Sequence, residues 1–148
     1  MTDRWWIFDL DGTLADGSHR VHYIQSAPKQ WDRFNQECVH DTVIMPTACI
    51  AAALWRDGDH VAIITGRTED VHEQTKDWLR KHFIYYNSLL MRPTGDSRPD
   101  TTVKLELYQE VMKMFDGPPL GVFEDRARMV QAWRELGLTC YQVADGDF

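Results

Sequence analysis

Short apolar runs alternate with longer stretches of helical periodicity along nearly the whole chain. Trp5-Trp6-Ile7-Phe8 is apolar with little polar alternation, the pattern of a parallel strand buried on both faces. Val61-Ala62-Ile63-Ile64 repeats that pattern and runs into Thr65-Gly66-Arg67. Ser88-Leu89-Leu90-Met91, Leu120-Gly121-Val122-Phe123 and Thr139-Cys140-Tyr141-Gln142-Val143 are weaker runs of the same kind. Helical patterns lie between them. Pro46 suits the first position of a helix with Ile50, Ala53 and Leu54 on its inner stripe. Thr68 is placed to N-cap the next, Glu69 and Asp70 complement its dipole, and Val71, Trp78, Leu79 and His82 continue it. Val103, Leu107, Val111 and Met114 keep helical spacing until Gly117-Pro118-Pro119, and Met129, Val130, Trp133 and Leu136 form a last stripe closed by Gly137.

This alternation predicts an α/β fold, a Rossmann-like three-layer sandwich with helices on both faces of a mainly parallel sheet of about five strands. Ligands in such folds bind beyond the carboxyl ends of the strands. The polar stretch from Ala15 to Met45 breaks the pattern and reads as a hairpin followed by a helix near Gln30 to Glu37. No repeat, low-complexity tract or linker interrupts the chain.

Length and composition narrow the class. The chain has 148 residues, which fits one domain, residues 1–148, with 43% hydrophobic and 26% charged residues. Cys38, Cys49 and Cys140 form no C-x-x-C pair, so free thiols and a cytoplasmic location are the expectation. The apolar run after Arg4 is too short for a signal peptide or a membrane span. A net charge of −7 argues against a protein that coats nucleic acid, though not against one that grips a strand end.

Candidate chemistry gathers at the ends of the predicted strands. Asp9 and Asp11 close the first, and residues two apart on an extended backbone face the same way. Gly12 then permits a sharp turn. A carboxylate pair this close suits a nucleophile, an acid/base and a cation, although an Asp-Gly turn capping a strand accounts for this segment alone equally well. Further strand ends shift the balance. Thr65, Gly66 and Arg67 lie just before a predicted helix N-terminus, where hydroxyl, guanidinium and N–H groups can hold phosphate oxygens. Glu124 and Asp125 supply hard oxygen ligands suited to Mg²⁺, and Lys104 adds a point charge.

Together, Asp9-Leu10-Asp11-Gly12-Thr13, Ile64-Thr65-Gly66-Arg67, Lys104 and Phe123-Glu124-Asp125-Arg126 resemble the motifs of the haloacid dehalogenase (HAD) superfamily of phosphotransferases. The resemblance implies that Asp9 attacks phosphorus and Asp11 acts as acid and then base. It implies Mg²⁺ held by Asp9, the backbone carbonyl of Asp11 and Asp125, with Thr65 and Lys104 on the phosphoryl oxygens. Glu124 stands where close relatives often carry Asp, which leaves open whether it reaches a metal-bound water or only braces the site.

A narrower resemblance, to the phosphatase domain of bacteriophage polynucleotide kinase/phosphatases, rests on Arg98-Pro99-Asp100 before Lys104 and on Tyr141-Gln142-Val143-Ala144-Asp145-Gly146-Asp147-Phe148. Arg20 falls where that family places an active-site arginine, Arg67 follows Thr-Gly as it does there, and Asp100 matches an acid that positions the lysine and arginine groups. The implied substrate is a 3′-phosphorylated DNA or RNA end. No room exists between Met91 and Lys104 for a cap domain, which leaves a site open to a polymer end, a mononucleotide or a phosphoprotein. With no G-x-x-x-x-G-K-[ST] run, the chain would be a phosphatase half whose kinase or ligase partner is a separate protein. The alternatives are a nucleotidase with the same chemistry and a non-catalytic binding protein on the same fold. Trp5, Trp6, Trp78 and Trp133 read as core, Trp31 and Trp55 as unassigned, His19 and His22 as loop residues or at most peripheral substrate contacts, and Cys140 as a small core hydrophobe.

Overall fold

The computed structural model describes residues 2–146, so Asp147 and Phe148 of the C-terminal motif lie outside the described residues. The strands are β1 (Trp5–Phe8), β2 (Ala15–Asp16), β3 (Thr42–Val43), β4 (His60–Thr68), β5 (Ser88–Arg92), β6 (Gly121–Glu124) and β7 (Cys140–Gln142). The helices are α1 (Trp31–Gln36), α2 (Met45–Arg56), α3 (His72–Lys81), α4 (Asp100–Val111) and α5 (Ala127–Glu135). Short 3₁₀ segments span Ser18–Tyr23, Glu37–His40 and Glu69–Val71. The main sheet runs β5-β4-β1-β6-β7, and every pair in it is parallel. This is the α/β Rossmann-like architecture that the alternation of runs predicts.

Side-chain alternation along the central strands builds two cores. Phe8, Val61, Ile63 and Phe123 face one way and pack with Trp78, Leu79 and Ala51. Trp5, Ile7, Ala62, Ile64 and Val122 face the other way and pack with Val111, Met129, Val130 and Trp133. A strand apolar on both faces therefore has no solvent side, which explains the unbroken runs. Truncating a fully buried ring such as Trp133 to alanine costs roughly 3–5 kcal/mol.

The chain builds outward from β1 to β4 and β5, then crosses to β6 and β7 on the far side. The carboxyl end of β1 is thus the switch point of the sheet, where a crevice opens between diverging connections.

Some local expectations are corrected. The inner stripe of α2 is Thr47, Ala51 and Leu54, while Ile50 and Ala53 are exposed. Residues 48–54 are almost wholly apolar, so periodicity cannot select a face there, and small residues at the contact decide it. Met114 and Leu136 are exposed because their helices end at Val111 and Glu135. Gly137 does close the last helix, at φ +84°. The hairpin expected after Ala15 is not local: β2 pairs antiparallel with β3, and two 3₁₀ segments and α1 lie inside that pairing. Residues 17–41 form a flap anchored at both ends, and only residues 93–99 link β5 to α4. No helix among the described residues is long and apolar enough to cross a membrane.

Candidate active site

Asp9 is the first residue beyond β1, and its N–H donates to the Phe123 carbonyl at 2.9 Å, so the sheet hydrogen bonding holds it in line with the strand. Leu10 turns into the core, which sends Asp9 and Asp11 to the opposite side, into the crevice. The turn that follows is closed by the N–H groups of Thr13, Leu14 and Ala15 on the Leu10 carbonyl. Gly12 adopts φ +85°, and a Cβ there would collide with Asp125 Oδ2. Glycine is required by both the dihedral and the space. Thr13 Oγ1 donates to Asp9 Oδ2 at 2.9 Å, and Lys104 Nζ donates to Asp9 Oδ1 at 2.7 Å.

Lys104 reaches this point from the first turns of α4 and is itself buried. It also donates to Glu124 Oε2 at 3.0 Å and lies 3.5 Å from Asp100 Oδ2. Burial alone would lower its pKa, but Asp9, Glu124 and Asp100 outweigh that and hold it well above 10.5. The other oxygen of Glu124 accepts the N–H groups of Asp125 and Arg126 at 3.2 and 3.3 Å. Both Glu124 oxygens are thus engaged by the protein.

Acids outnumber cations on this side. Burial, aided by the charge of Glu124 and opposed by Lys104, pushes Asp9 up to about 7. Burial and the neighbouring Asp9 push Asp125 up to about 6. One oxygen from each of Asp9, Glu124 and Asp125 lies within 4.8 Å of the others. With both Glu124 oxygens engaged by the protein, the crowded carboxylates of Asp9 and Asp125, each with a raised pKa, are hard donors suited to a small divalent cation, and these residues fit Mg²⁺.

The other side of the crevice is basic. Arg20 and Arg67 are both buried, and both donate to Asp11 Oδ1 through NH2, at 2.7 and 2.5 Å. Burial tends to raise the pKa of Asp11, but Arg67 and Arg20 outweigh it and hold the carboxyl below 3.8. Sequence reasoning missed the residue behind this pair. Asp41, buried just before β3, accepts Arg20 Nε and NH2 at 2.8 Å each and Arg67 NH2 at 3.1 Å. It is held by its own carbonyl, which accepts Trp78 Nε1 at 2.8 Å, and by His19 Nε2 at 2.8 Å. His19 is therefore part of this support rather than a free loop residue. No motif marks Asp41.

Thr65, Gly66 and Arg67 require a correction. They are not at a helix N-terminus: β4 continues to Thr68 through a register shift, and α3 begins only at His72. Thr68 makes no side-chain cap; its hydroxyl bonds to Asp70 instead. Buried Thr65 accepts the Arg67 N–H at 3.0 Å, so the bulged end of the strand, not a helix dipole, shapes this wall.

Asp100 accepts Arg92 NH2 at 3.2 Å and stands 3.5 Å from both Lys104 Nζ and Arg126 NH1. Its side chain serves the site and is no N-cap. Arg92, also missed, donates to the Gly66 carbonyl at 3.0 Å and to the Asp96 and Arg98 carbonyls, tying residues 93–99 to the strand ends. A signal was present, since Arg92 ends an apolar run as Thr65 and Glu124 do. Arg98 points away from the lysine, paired with Asp96 and Glu106. The C-terminal motif braces Asp125: Gln142 Nε2 donates to its carbonyl at 3.2 Å, and a Cβ on Gly146 would collide with that same oxygen. Cys140 is core, its thiol pushed up to about 12 by burial. All of the site residues expected from sequence surround one open cleft of about 600 Å³, with Arg20 behind its wall.

The family model of the polynucleotide kinase PNKP phosphatase domain matches residues 3–148. A bifunctional polynucleotide kinase/RNA ligase of Autographa californica nuclear polyhedrosis virus is 27% identical over 130 residues, covering 86% of this chain and 17% of its own length. A chain of the Pnkp1/Rnl/Hen1 complex superimposes with a TM-score of 0.84 at 32% identity, over 99% of this chain and 47% of that one. This protein therefore spans less than half the length of these relatives. A hydrolase from Streptococcus pneumoniae, 17% identical with a TM-score of 0.61 over 98% of this chain and 95% of its own, shares the fold. The chain belongs to the PNKP phosphatase-domain family of HAD phosphomonoester hydrolases.

Proposed function

We propose that residues 1–148 act as one catalytic domain that removes a 3′-phosphate from a DNA or RNA end through an aspartyl-phosphate on Asp9. The observation that carries the chemistry is Asp9 itself: a buried carboxylate at the switch point, fixed by Lys104 and Thr13, with a second carboxylate two residues on. Asp9 forms a bond to phosphorus while the bond from phosphorus to the 3′-oxygen breaks. Lys104 draws Asp9 towards its ionised form against the effect of burial. It also holds a phosphoryl oxygen, as do Thr65 and the backbone at Gly66. Asp11 gives its proton to the departing 3′-oxygen, then takes one from the water that attacks phosphorus and frees Asp9.

Arg20 and Arg67 hold Asp11 ionised in the free protein, the form that accepts a proton from water. A substrate phosphate that draws Arg67 towards itself loosens that hold and lets Asp11 carry a proton for the first step. Asp100 positions Lys104, and Glu124 braces it. Asp9, the Asp11 carbonyl and Asp125 are the residues that would hold Mg²⁺, with Glu124 engaged elsewhere. Bound there, the ion neutralises the crowded carboxylates and the charge of the transferring phosphoryl group.

The similarity to a polynucleotide kinase/RNA ligase and to a chain of the Pnkp1/Rnl/Hen1 RNA repair complex favours a polynucleotide end over other esters and a kinase or ligase as the working partner. A nucleotidase is the second reading, since a cleft of about 600 Å³ also accommodates a single nucleotide. Phosphate release from a 3′-phosphorylated oligonucleotide, its 5′-phosphorylated isomer and the 3′- and 5′-mononucleotides separates the two. Strong preference for the 3′-oligonucleotide supports the proposal; equal or better turnover of mononucleotides replaces it with the second reading.

A further inference from the structure

The flap bears an aromatic side chain that the chemistry does not use. Trp31, at the start of α1, is 50% exposed, an unusual position for the largest apolar side chain in a protein whose other described tryptophans are buried or half-buried. It lines the active-site cleft together with Ile24 and Phe34. Its orientation is supported: Phe34 meets it edge to face at 5.8 Å, and Phe34 in turn carries the Arg20 guanidinium 4.3 Å above its ring. The Phe34 carbonyl accepts Arg20 NH1 at 3.1 Å. Across the cleft, Asn35 Nδ2 donates to Thr68 Oγ1 at 3.2 Å, which fastens α1 to the end of β4.

Trp31 also borders a second, more open depression lined by residues 29–33. Lys29 and Arg33 lie there, Lys29 with its ammonium 5.7 Å from the Trp31 ring centre and Arg33 over Tyr23 at 5.1 Å. Outward from Asp11, the contacts run from Arg20, which positions that acid, to Phe34, to Trp31, and on to Lys29. On a protein of net charge −7, two cations to one acid, Asp32, beside an exposed ring at the mouth of a phosphate site are a local exception. A flat ring takes any base by its π-face, and flanking cations take the backbone phosphates that follow.

The geometry points to Trp31, Lys29 and Arg33 as the strand-binding subsite: Trp31 stacks on the base of the 3′-terminal nucleotide, and the two cations hold the phosphates that precede it. This rests on the 3′-end reading above and deepens it, since it assigns the residues that distinguish a polymer end from a small ester. A single strand is the form that fits, because its terminal base is free to stack on the ring.

The test compares a 3′-phosphorylated oligothymidylate with glycerol 2-phosphate, which has no ring to stack. Trp31→Ala lowers the ratio of kcat/KM for the oligonucleotide over that for glycerol 2-phosphate roughly 5- to 100-fold. The loss appears mainly in KM, and Trp31→Phe restores most of it. Lys29→Ala with Arg33→Ala flattens the salt dependence of the oligonucleotide KM by about 0.7 in log–log slope per cation lost. A proportional loss on both esters in Trp31→Ala means that the ring only supports the flap and overturns the proposal. So does an unchanged ratio in a wild-type protein that prefers the oligonucleotide, which leaves the 3′-end reading standing. A wild-type protein with no such preference overturns both.

Discussion

Replacing Asp9 with asparagine removes the proposed nucleophile, and the structure gives that change an opposite effect on stability. Asp9 is buried among Glu124, Asp125 and a single ammonium, and its pKa rises from the ordinary 3.8 to about 7, chiefly through burial. A raised carboxyl pKa means that the folded state holds the proton more tightly than the unfolded state. Its effect is absent below about pH 4, where both states are protonated, and turns into a penalty as pH rises towards 7. The gap between 3.8 and about 7, at ~1.4 kcal/mol per pH unit, makes the full penalty ~4 kcal/mol, with Lys104 already counted in its favour.

Asparagine keeps the shape and has no charge to bury. In EDTA at pH 8, Asp9→Asn is expected to unfold at higher denaturant than the wild type by up to ~4 kcal/mol, with the difference shrinking towards pH 4. On the proposed Mg²⁺ site, added Mg²⁺ is expected to narrow the gap by binding the folded wild type. Urea titrations at pH 4, 6 and 8, with and without Mg²⁺, measure this. A metal-free Asp9→Asn protein less stable than the wild type at pH 8 refutes the reasoning, for the Lys104 bond would then outweigh the cost of burying the acid.

Other consequences are as direct. Asp41→Ala leaves Arg20 and Arg67 buried with Asp11 as their shared acid; a loss of roughly 3–5 kcal/mol is expected, read by chemical denaturation, with a fall in kcat that added Mg²⁺ does not rescue. Gly66→Ala drives a Cβ into Asp100 Oδ1 and should abolish turnover, while circular dichroism shows the fold retained. Iodoacetamide on the native protein should label Cys49, which is exposed, and spare Cys38 and Cys140, whose thiols burial pushes up; mass spectrometry of the peptides reads the result.

The parts of the fold and site that sequence reasoning reached share a physical origin. Strands buried on both faces must be apolar throughout, so β1 and β4 announce themselves, and chemistry at their carboxyl ends follows from the topology. Asp9, Asp11 and Asp125 stand out as candidates because each sits at a strand end, while Lys104 stands out only through the family resemblance. Asp41 does not, because its meaning lies entirely in the two guanidiniums that meet it from Arg20 and Arg67, far away in sequence. The helix start after Thr68 was misplaced because a local capping pattern, Thr-Glu-Asp, also suits the 3₁₀ turn that stands there. On α2 the apolar run carried no polar side to read, so only packing could choose Ala51 over Ile50.

The most direct test of the central claim is to trap the intermediate. The protein is mixed with a 3′-phosphorylated oligonucleotide and Mg²⁺, quenched in acid within one turnover, digested and weighed peptide by peptide. The account predicts one added phosphoryl group on the peptide that contains Asp9, removed by hydroxylamine as an acyl phosphate is, and absent from Asp9→Asn and from reactions given the 5′-phosphorylated isomer. Product formed within that turnover with no phosphoryl group on the protein, or with the group on another residue, contradicts it.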